Sequence, residues 1–303
     1  MHAPLKLSRK DAESKHSSLG RAFHILSLFT LGTPVLRMED IASSSGYTRS
    51  TAYRYLKELC DAGLLTRTVI NGQYALGTRI VELERLLELT DPLYRAGKSV
   101  VGPMRSPDSS LLVQSLNHRN QVLCIYKEGP DVLEFQGDRV ALTRSRGVPF
   151  PLFRGAASLV ILAALSPHRI KQTYLSDARR IAEAGLGNSW PEFRERLSGV
   201  RRRGYAVSRT ERRKPLVVGV AVPILLGPPF DKRVIGSIVQ VFAHDLTATQ
   251  EAECAQRLTE ASRRIASEYV ALVTSAPSRA ARKKATADPA EAAHPVDGWQ
   301  LIS

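Results

Sequence analysis

From Leu19 to Leu89 the apolar residues recur at helical spacing, broken by one short stretch of strand-like positions. Ala22, Ile25, Leu26 and Phe29 fall on one face and predict a first helix, which Gly32 and Pro34 end. Met38, Ile41 and Ala42 are the inward positions of a second, short helix, and Gly46 stands where the chain must turn sharply. Thr48 follows as an N-cap, since a hydroxyl there can accept from backbone N–H groups of the next turn. The third helix has Ala52, Tyr55, Leu56 and Leu59 on its inward face and Gly63 as its stop. Leu64 to Thr68 and Gln73 to Leu76 read as strands, and Asn71-Gly72 between them is the pair that a tight type I′ hairpin demands. Helix, helix, turn, helix and hairpin in that order predict a winged helix-turn-helix over residues 18–77.

Thr78 can cap a further helix in which Ile80, Leu83, Leu86, Leu87 and Leu89 form a stripe wider than a three-helix domain requires. That stripe either meets a second subunit or folds back on its own domain. Pro92 disfavours continuation of the helix, so residues 78–97 read as a linker and dimerisation segment. From residue 98 to 274 strand and helix signals alternate. Strands are predicted at Ser110 to Leu116, Gln121 to Tyr126, Asp131 to Gln136, Leu216 to Leu226 and Arg233 to Phe242. Helices are predicted from Gly155 to Leu165, from Trp190 to the Arg201-Arg202-Arg203 run, and from Leu246 to Val273. Helices on a mainly antiparallel sheet give the α+β class. Residues 1–17 and 275–303 lack periodicity and read as disordered tails.

Composition narrows the function. A chain of 303 residues with 43% hydrophobic content can fill two cores, and a net charge of +14 favours a polyanionic partner. The outward face of the third helix carries Arg49, Ser50, Tyr53, Arg54 and Lys57, with Thr48 and Thr51 in its first turn and Arg67 on the hairpin. Arg can pair bidentately with guanine, and Ser or Thr can bond to phosphate or base, so this is a DNA-reading set. No apolar run is long enough to span a membrane and the N-terminus is not signal-like, so the expected setting is the cytoplasm. Cys60, Cys124 and Cys254 have no metal or disulfide spacing and read as buried thiols. There is no GxGxxG, GxSxG or HExxH, so no catalytic residue, cofactor or metal is expected, against the alternatives of a winged-helix methyltransferase or a sensor that has lost DNA binding. Gly155-Ala156-Ala157 at a helix start either exposes backbone N–H groups to a carboxylate or allows close packing on a sheet. From Glu195 to Lys214 eight basic residues meet two acidic ones, a cluster with no assigned role.

The strings Met38-Glu39-Asp40-Ile41-Ala42, Gly46 through Leu56, Gly63-Leu64-Leu65 and Tyr74-Ala75-Leu76-Gly77 resemble the amino-terminal domain of IclR-type transcription regulators. The resemblance implies that Arg49, Ser50, Thr51, Tyr53 and Arg54 contact an operator. It also implies that the connecting helix pairs subunits, as a homodimer or homotetramer on palindromic double-stranded DNA. Pro149 to Leu165 and Arg202 to Ala206 are similar to the family's effector domain, which folds like a GAF sensor and binds small organic acids. An ungapped match from Lys214 to Phe242 carries the effector positions to Val218, Val239 and Val241, beside Gly155 and Ala156. Where relatives often have acidic residues and a Cys, this chain has Ser208-Arg209-Thr210-Glu211 and Val218, which predicts a bulkier, more apolar aromatic or acyl carboxylic acid as effector.

Overall fold

The computed structural model describes residues 17–69, 71–142, 146–210, 216–228 and 233–275. The expected tails lie outside these residues, except that Ser17 caps the first helix through a side-chain bond to the Gly20 N–H at 2.9 Å and Ser275 closes the last. The chain divides into two compact units between Thr90 and Asp91.

The first unit contains α1 (Ser18–Leu26), β1 (Val35–Leu36), α2 (Met38–Ser45), α3 (Arg49–Asp61), β2 (Leu65–Arg67), β3 (Tyr74–Leu76) and α4 (Arg79–Thr90). Ile25, Ile41, Tyr55, Leu56, Leu59, Leu65 and Tyr74 form its core, so one face of each of the first three helices is accounted for. Gly46 ends α2 at a φ of 71°, a left-handed conformation in which a Cβ is strained. The short β1 pairs with β3 and extends the hairpin to three strands, an element too brief to leave a periodic signal. The hairpin differs from the predicted tight turn: the Thr68 N–H donates to the Gln73 carbonyl at 2.7 Å, so Asn71 and Gly72, at φ of 65° and 57°, are half of a four-residue loop. No residue of α4 is buried, and Leu86, Leu87 and Leu89 remain about half exposed.

The second unit opens with α5 (Pro92–Val101), which corrects the predicted linker. Asp91 caps it by accepting from the Tyr94 N–H at 2.9 Å, and Pro92 takes the first helical position, where its missing N–H costs nothing. Proline thus starts a new helix here. Leu93, Tyr94, Ala96, Val100 and Val101 are buried within this unit, so residues 91–97 belong to it.

The sheet of the second unit runs β8 (Pro149–Pro151), β5 (Gln121–Glu128), β4 (Ser109–Leu116), β11 (Arg233–Phe242), β10 (Val218–Leu226), β9 (Ala206–Arg209), with every neighbouring pair antiparallel. A separate hairpin joins β6 (Val132–Phe135) to β7 (Asp138–Ala141). One face of the main sheet packs on α5 and on α9 (Ala248–Ser275), through Val113, Val218, Val220, Val222, Ile224 and Ile238. The other packs under α6 (Ala156–Ala164), α7 (Pro167–Glu183) and α8 (Trp190–Arg203), through Leu112, Val122, Cys124, Ala206, Ala221 and Val239. A sheet covered on both sides by helices needs two apolar faces, which is why β10 and β11 read as unbroken apolar runs. Helix α7 is an addition to the predicted elements; only Ile170 and Ile181 are buried along it, too sparse a stripe to announce a helix.

Phe193 on α8 is fully buried beneath Tyr174 and Trp190. Phe193→Ala is expected to lower stability by about 3–5 kcal/mol, whereas Leu175→Ala, at a position 70% exposed, should change it by less than about 0.5 kcal/mol. Urea unfolding followed by circular dichroism checks both.

Candidate nucleic-acid interface and effector site

Thr48 caps α3 from an extended backbone, its hydroxyl accepting from the Thr51 N–H at 3.3 Å and donating to the Thr51 hydroxyl at 2.9 Å. Burial of Ala52, Tyr55, Leu56 and Leu59 then fixes the rotation of the helix, because residues three and four apart share a face. The opposite face projects Arg49, Ser50, Tyr53, Arg54 and Lys57 into solvent, while Thr51 is half-buried beside its cap. Arg49 pairs with Glu39 of α2 at 2.6 Å, an exposed contact that a phosphate could displace. The Glu39 carboxyl is held below its ordinary range, chiefly by backbone hydrogen bonding at the start of α2 and further by Arg49. Arg54 lies along the Tyr55 ring, 5.0 Å from its centroid, and donates to the Tyr55 hydroxyl at 3.3 Å. Arg67 donates to the Gly72 carbonyl at 3.4 Å, which lays its guanidinium over the hairpin loop. All eight sequence-predicted DNA residues therefore lie on α3, its cap or the hairpin.

The second site is built around the start of α6. Gly155 precedes that helix at φ 83° and ψ 162°, a region closed to other residue types. No side chain caps α6, and among the described residues nothing accepts from the N–H groups of Ala156, Ala157 or Ser158. These three residues are almost fully buried, at 2%, 4% and 0% exposure. A buried helix start with unpaired donors is costly until an acceptor arrives, and the helix dipole makes an anion the best one.

Val239 and Val241 lie on the sheet face that α6 covers. Val218 does not: it is fully buried on the opposite face with α5 and α9. Side chains alternate along a strand, so β10 presents Gly219 and Ala221 towards α6, opposite Val241 and Val239. A single ungapped match therefore carried its three positions to two opposite faces of the sheet. The sequence reading also missed Gln114 and Ser237, direct neighbours across β4 and β11 on the α6 face. The buried Gln114 Oε1, Ser237 Oγ and Ser158 Oγ have no hydrogen-bond partner among the described residues. A period-two count outward from Val239 would have found Ser237. Nothing in the sequence announces that its hydroxyl is unpaired.

The remaining candidate chemistry is quiet. Cys124 and Cys254 are buried and Cys60 is half-buried, all three without disulfides; burial raises each thiol, that of Cys124 to about 12. Among the described residues no cluster of His, Cys, Asp and Glu could hold a metal, and no helix is long and apolar enough to cross a membrane.

The IclR helix-turn-helix domain family matches residues 18–68, and the bacterial transcriptional regulator IclR C-terminal family matches residues 121–267. The chain belongs to the IclR family. Its curated relatives include the transcriptional regulator XynR of Escherichia coli, 26% identical over 68% of this chain and 79% of the relative. KipR of Bacillus subtilis is 23% identical over 66% of this chain and 76% of that protein. Among solved structures, an IclR regulator from Silicibacter superposes with a TM-score of 0.65 at 20% identity, over 84% of this chain and 96% of that one. An IclR homologue from Microbacterium hydrocarbonoxydans, in complex with 4-hydroxybenzoate, superposes at 0.61 with 20% identity, over 84% of this chain and all of that one. The α+β architecture, with its helix-turn-helix unit and GAF-like second unit, is thus the family's. IclR-family members are transcription regulators with DNA-binding and effector-binding domains.

Thr48→Ala is expected to destabilise the first unit by about 1 kcal/mol through loss of the α3 cap. Thr48→Ser should restore most of that loss. Thermal unfolding monitored by hydrogen exchange of α3 amides measures it.

Proposed function

We propose that this IclR-family protein reads an operator through α3 and releases or grips it in response to a hydroxylated aromatic carboxylic acid bound under α6. For the DNA end, the carrying observation is the cap and burial pattern of α3, which leaves Arg49, Ser50, Tyr53, Arg54 and Lys57 pointing outward together. Thr48 and Thr51 sit at its first turn, where a recognition helix meets base edges, and Arg67 on the hairpin is suited to a flanking phosphate. The half-exposed leucines of α4 support a homodimer or homotetramer, which would present two copies of α3 to a palindrome in the cytoplasm.

For the effector, the uncapped and buried N–H groups of Ala156, Ala157 and Ser158 supply donors for a carboxylate, beside Gly155. Val239, Val241, Ala221 and Gly219 supply an apolar floor. The unpaired oxygens of Gln114, Ser158 and Ser237 favour a ligand that also carries a hydroxyl, which modifies the apolar effector expected from sequence. The 4-hydroxybenzoate complex of the Microbacterium homologue is in keeping with that chemistry.

Fluorescence anisotropy with a duplex taken from upstream of the protein's own reading frame tests the DNA reading. Arg49→Ala and Arg54→Ala should each weaken binding by about 1–3 kcal/mol where the arginine reads a base. Wild-type affinity in both would remove α3 from the interface. Calorimetric titration should give saturable binding of hydroxybenzoates that Gly155→Val abolishes; binding of hydrophilic keto acids alone would overturn the effector assignment.

A further inference from the structure

A concavity lies between the first turn of α7 and one face of α8. It has a volume of about 430 Å³, and its lining includes Ile170, Lys171, Trp190, Arg194, Leu197 and Arg201. Positions 190, 194, 197 and 201 share one side of α8, so the cleft runs along most of that helix. The Arg201 guanidinium donates to the Ala163 carbonyl in the last turn of α6. The effector candidate sits at the other end of α6, and nine residues at ~1.5 Å each separate the two sites by roughly a helix length.

Among the described residues, the cations of α7 and α8 are only partly paired, and Arg169, Arg196 and Arg203, which do not line the cleft, have no carboxylate partner. Arg179 pairs with Glu183, Arg180 with Asp177 and Arg202 with Glu195. Among the described residues, Lys171, Arg194 and Arg201 have no carboxylate within ion-pair distance, although all three line one depression. Between them lies an apolar and aromatic floor. Ile170 and Leu197 are buried, and the Trp190 ring stands 5.4 Å from Tyr174 and 6.3 Å from Phe193. The Arg194 guanidinium lies 5.9 Å from the Trp190 ring centroid, within cation–π range. The pattern also gives part of the basic cluster that begins at Glu195 a place in the fold.

We infer that this cleft is a second ligand site, distinct from the one under α6, for a small aryl carboxylate. Its ring would lie on Trp190, Ile170 and Leu197, and its carboxylate would meet Lys171 and Arg194. The volume falls within the usual range of about 300–1,000 Å³ for small-molecule pockets. Two unpaired cations over an apolar floor select an anion with an apolar body against both a neutral ring and a bare anion. A phosphate backbone or an acidic peptide would need the charge but not the half-buried Trp190 ring. The inference stands independently of the effector reading, since it uses none of the residues of that site.

The sequence contains two tryptophans, Trp190 and Trp299, so Trp299→Phe leaves Trp190 as the sole indole reporter. In that full-length variant, phenylacetate is expected to change Trp190 emission saturably, while phenylacetamide and acetate leave it unmoved. Lys171→Ala with Arg194→Ala should weaken the response by at least about tenfold. Calorimetric stoichiometry should fall by one phenylacetate per chain in the same double variant, with the melting temperature retained. Loss of the equivalent at α6 alone, with the Trp190 response intact, would count against the effector reading only. An emission that ignores phenylacetate, responds equally to phenylacetamide, or survives unchanged in the double variant overturns the second site. Lys171→Gln with Arg194→Gln repeats the comparison with longer side chains should the alanine variant unfold.

Discussion

The second unit depends on covering a six-stranded antiparallel sheet on both faces, and the helix that closes one face begins inside the protein without a cap. Both parts follow from the residues. Strands β10 and β11 are apolar on both sides, so water must be excluded from each. Ala156, Ala157 and Ser158 are small enough for the first turn of α6 to sit against that surface, and Gly155 alone permits the backbone angle that brings it there. The consequence is a set of buried donors with no acceptor among the described residues. Close packing and anion binding were alternative readings of the same glycine and alanines; the geometry shows the close packing, which leaves N–H groups that an anion could satisfy.

The first unit rests on a simpler constraint. Tyr55, Leu56 and Leu59 are anchored in a small core with Ile25 and Ile41, and a helix whose inner face is fixed has no freedom over what its outer face presents. The Thr48 cap sets where that helix starts, and therefore which residues occupy the first turn. The Glu39 carboxylate pairs with Arg49 in the exposed first turn. Connecting helix α4 is the complement: among the described residues its leucines stay about half exposed and none of its residues is buried.

Much of this was legible in order. The inward positions of α3 and its cap were readable because helical period and capping chemistry are local, and Thr48, Ala52, Tyr55, Leu56 and Leu59 all take the places the pattern assigned. Four strands of the main sheet, β4, β5, β10 and β11, were readable from their strand-like patterns, while β8 and β9, of three and four residues, were too short to announce themselves. What failed was whatever depended on partners distant in sequence. Val218 was placed on the wrong face because an apolar strand with two buried sides carries no alternation to fix its register. Pro92 was taken as an ending because its role as a first helical residue shows only with Asp91 behind it and a core for Leu93 and Tyr94 ahead. Helix α7 was silent because its apolar stripe is thin. Gln114 and Ser237 could not be singled out, since an unpaired buried oxygen is a property of three-dimensional neighbours.

The central claim is that the start of α6 receives a carboxylate, and backbone amide shifts report it most directly. In protein labelled with ¹⁵N-alanine and ¹⁵N-serine, addition of 4-hydroxybenzoate should move the Ala156, Ala157 and Ser158 resonances downfield as their N–H groups gain an acceptor. Saturation of the protein with that acid while those three resonances stay in place would contradict the account.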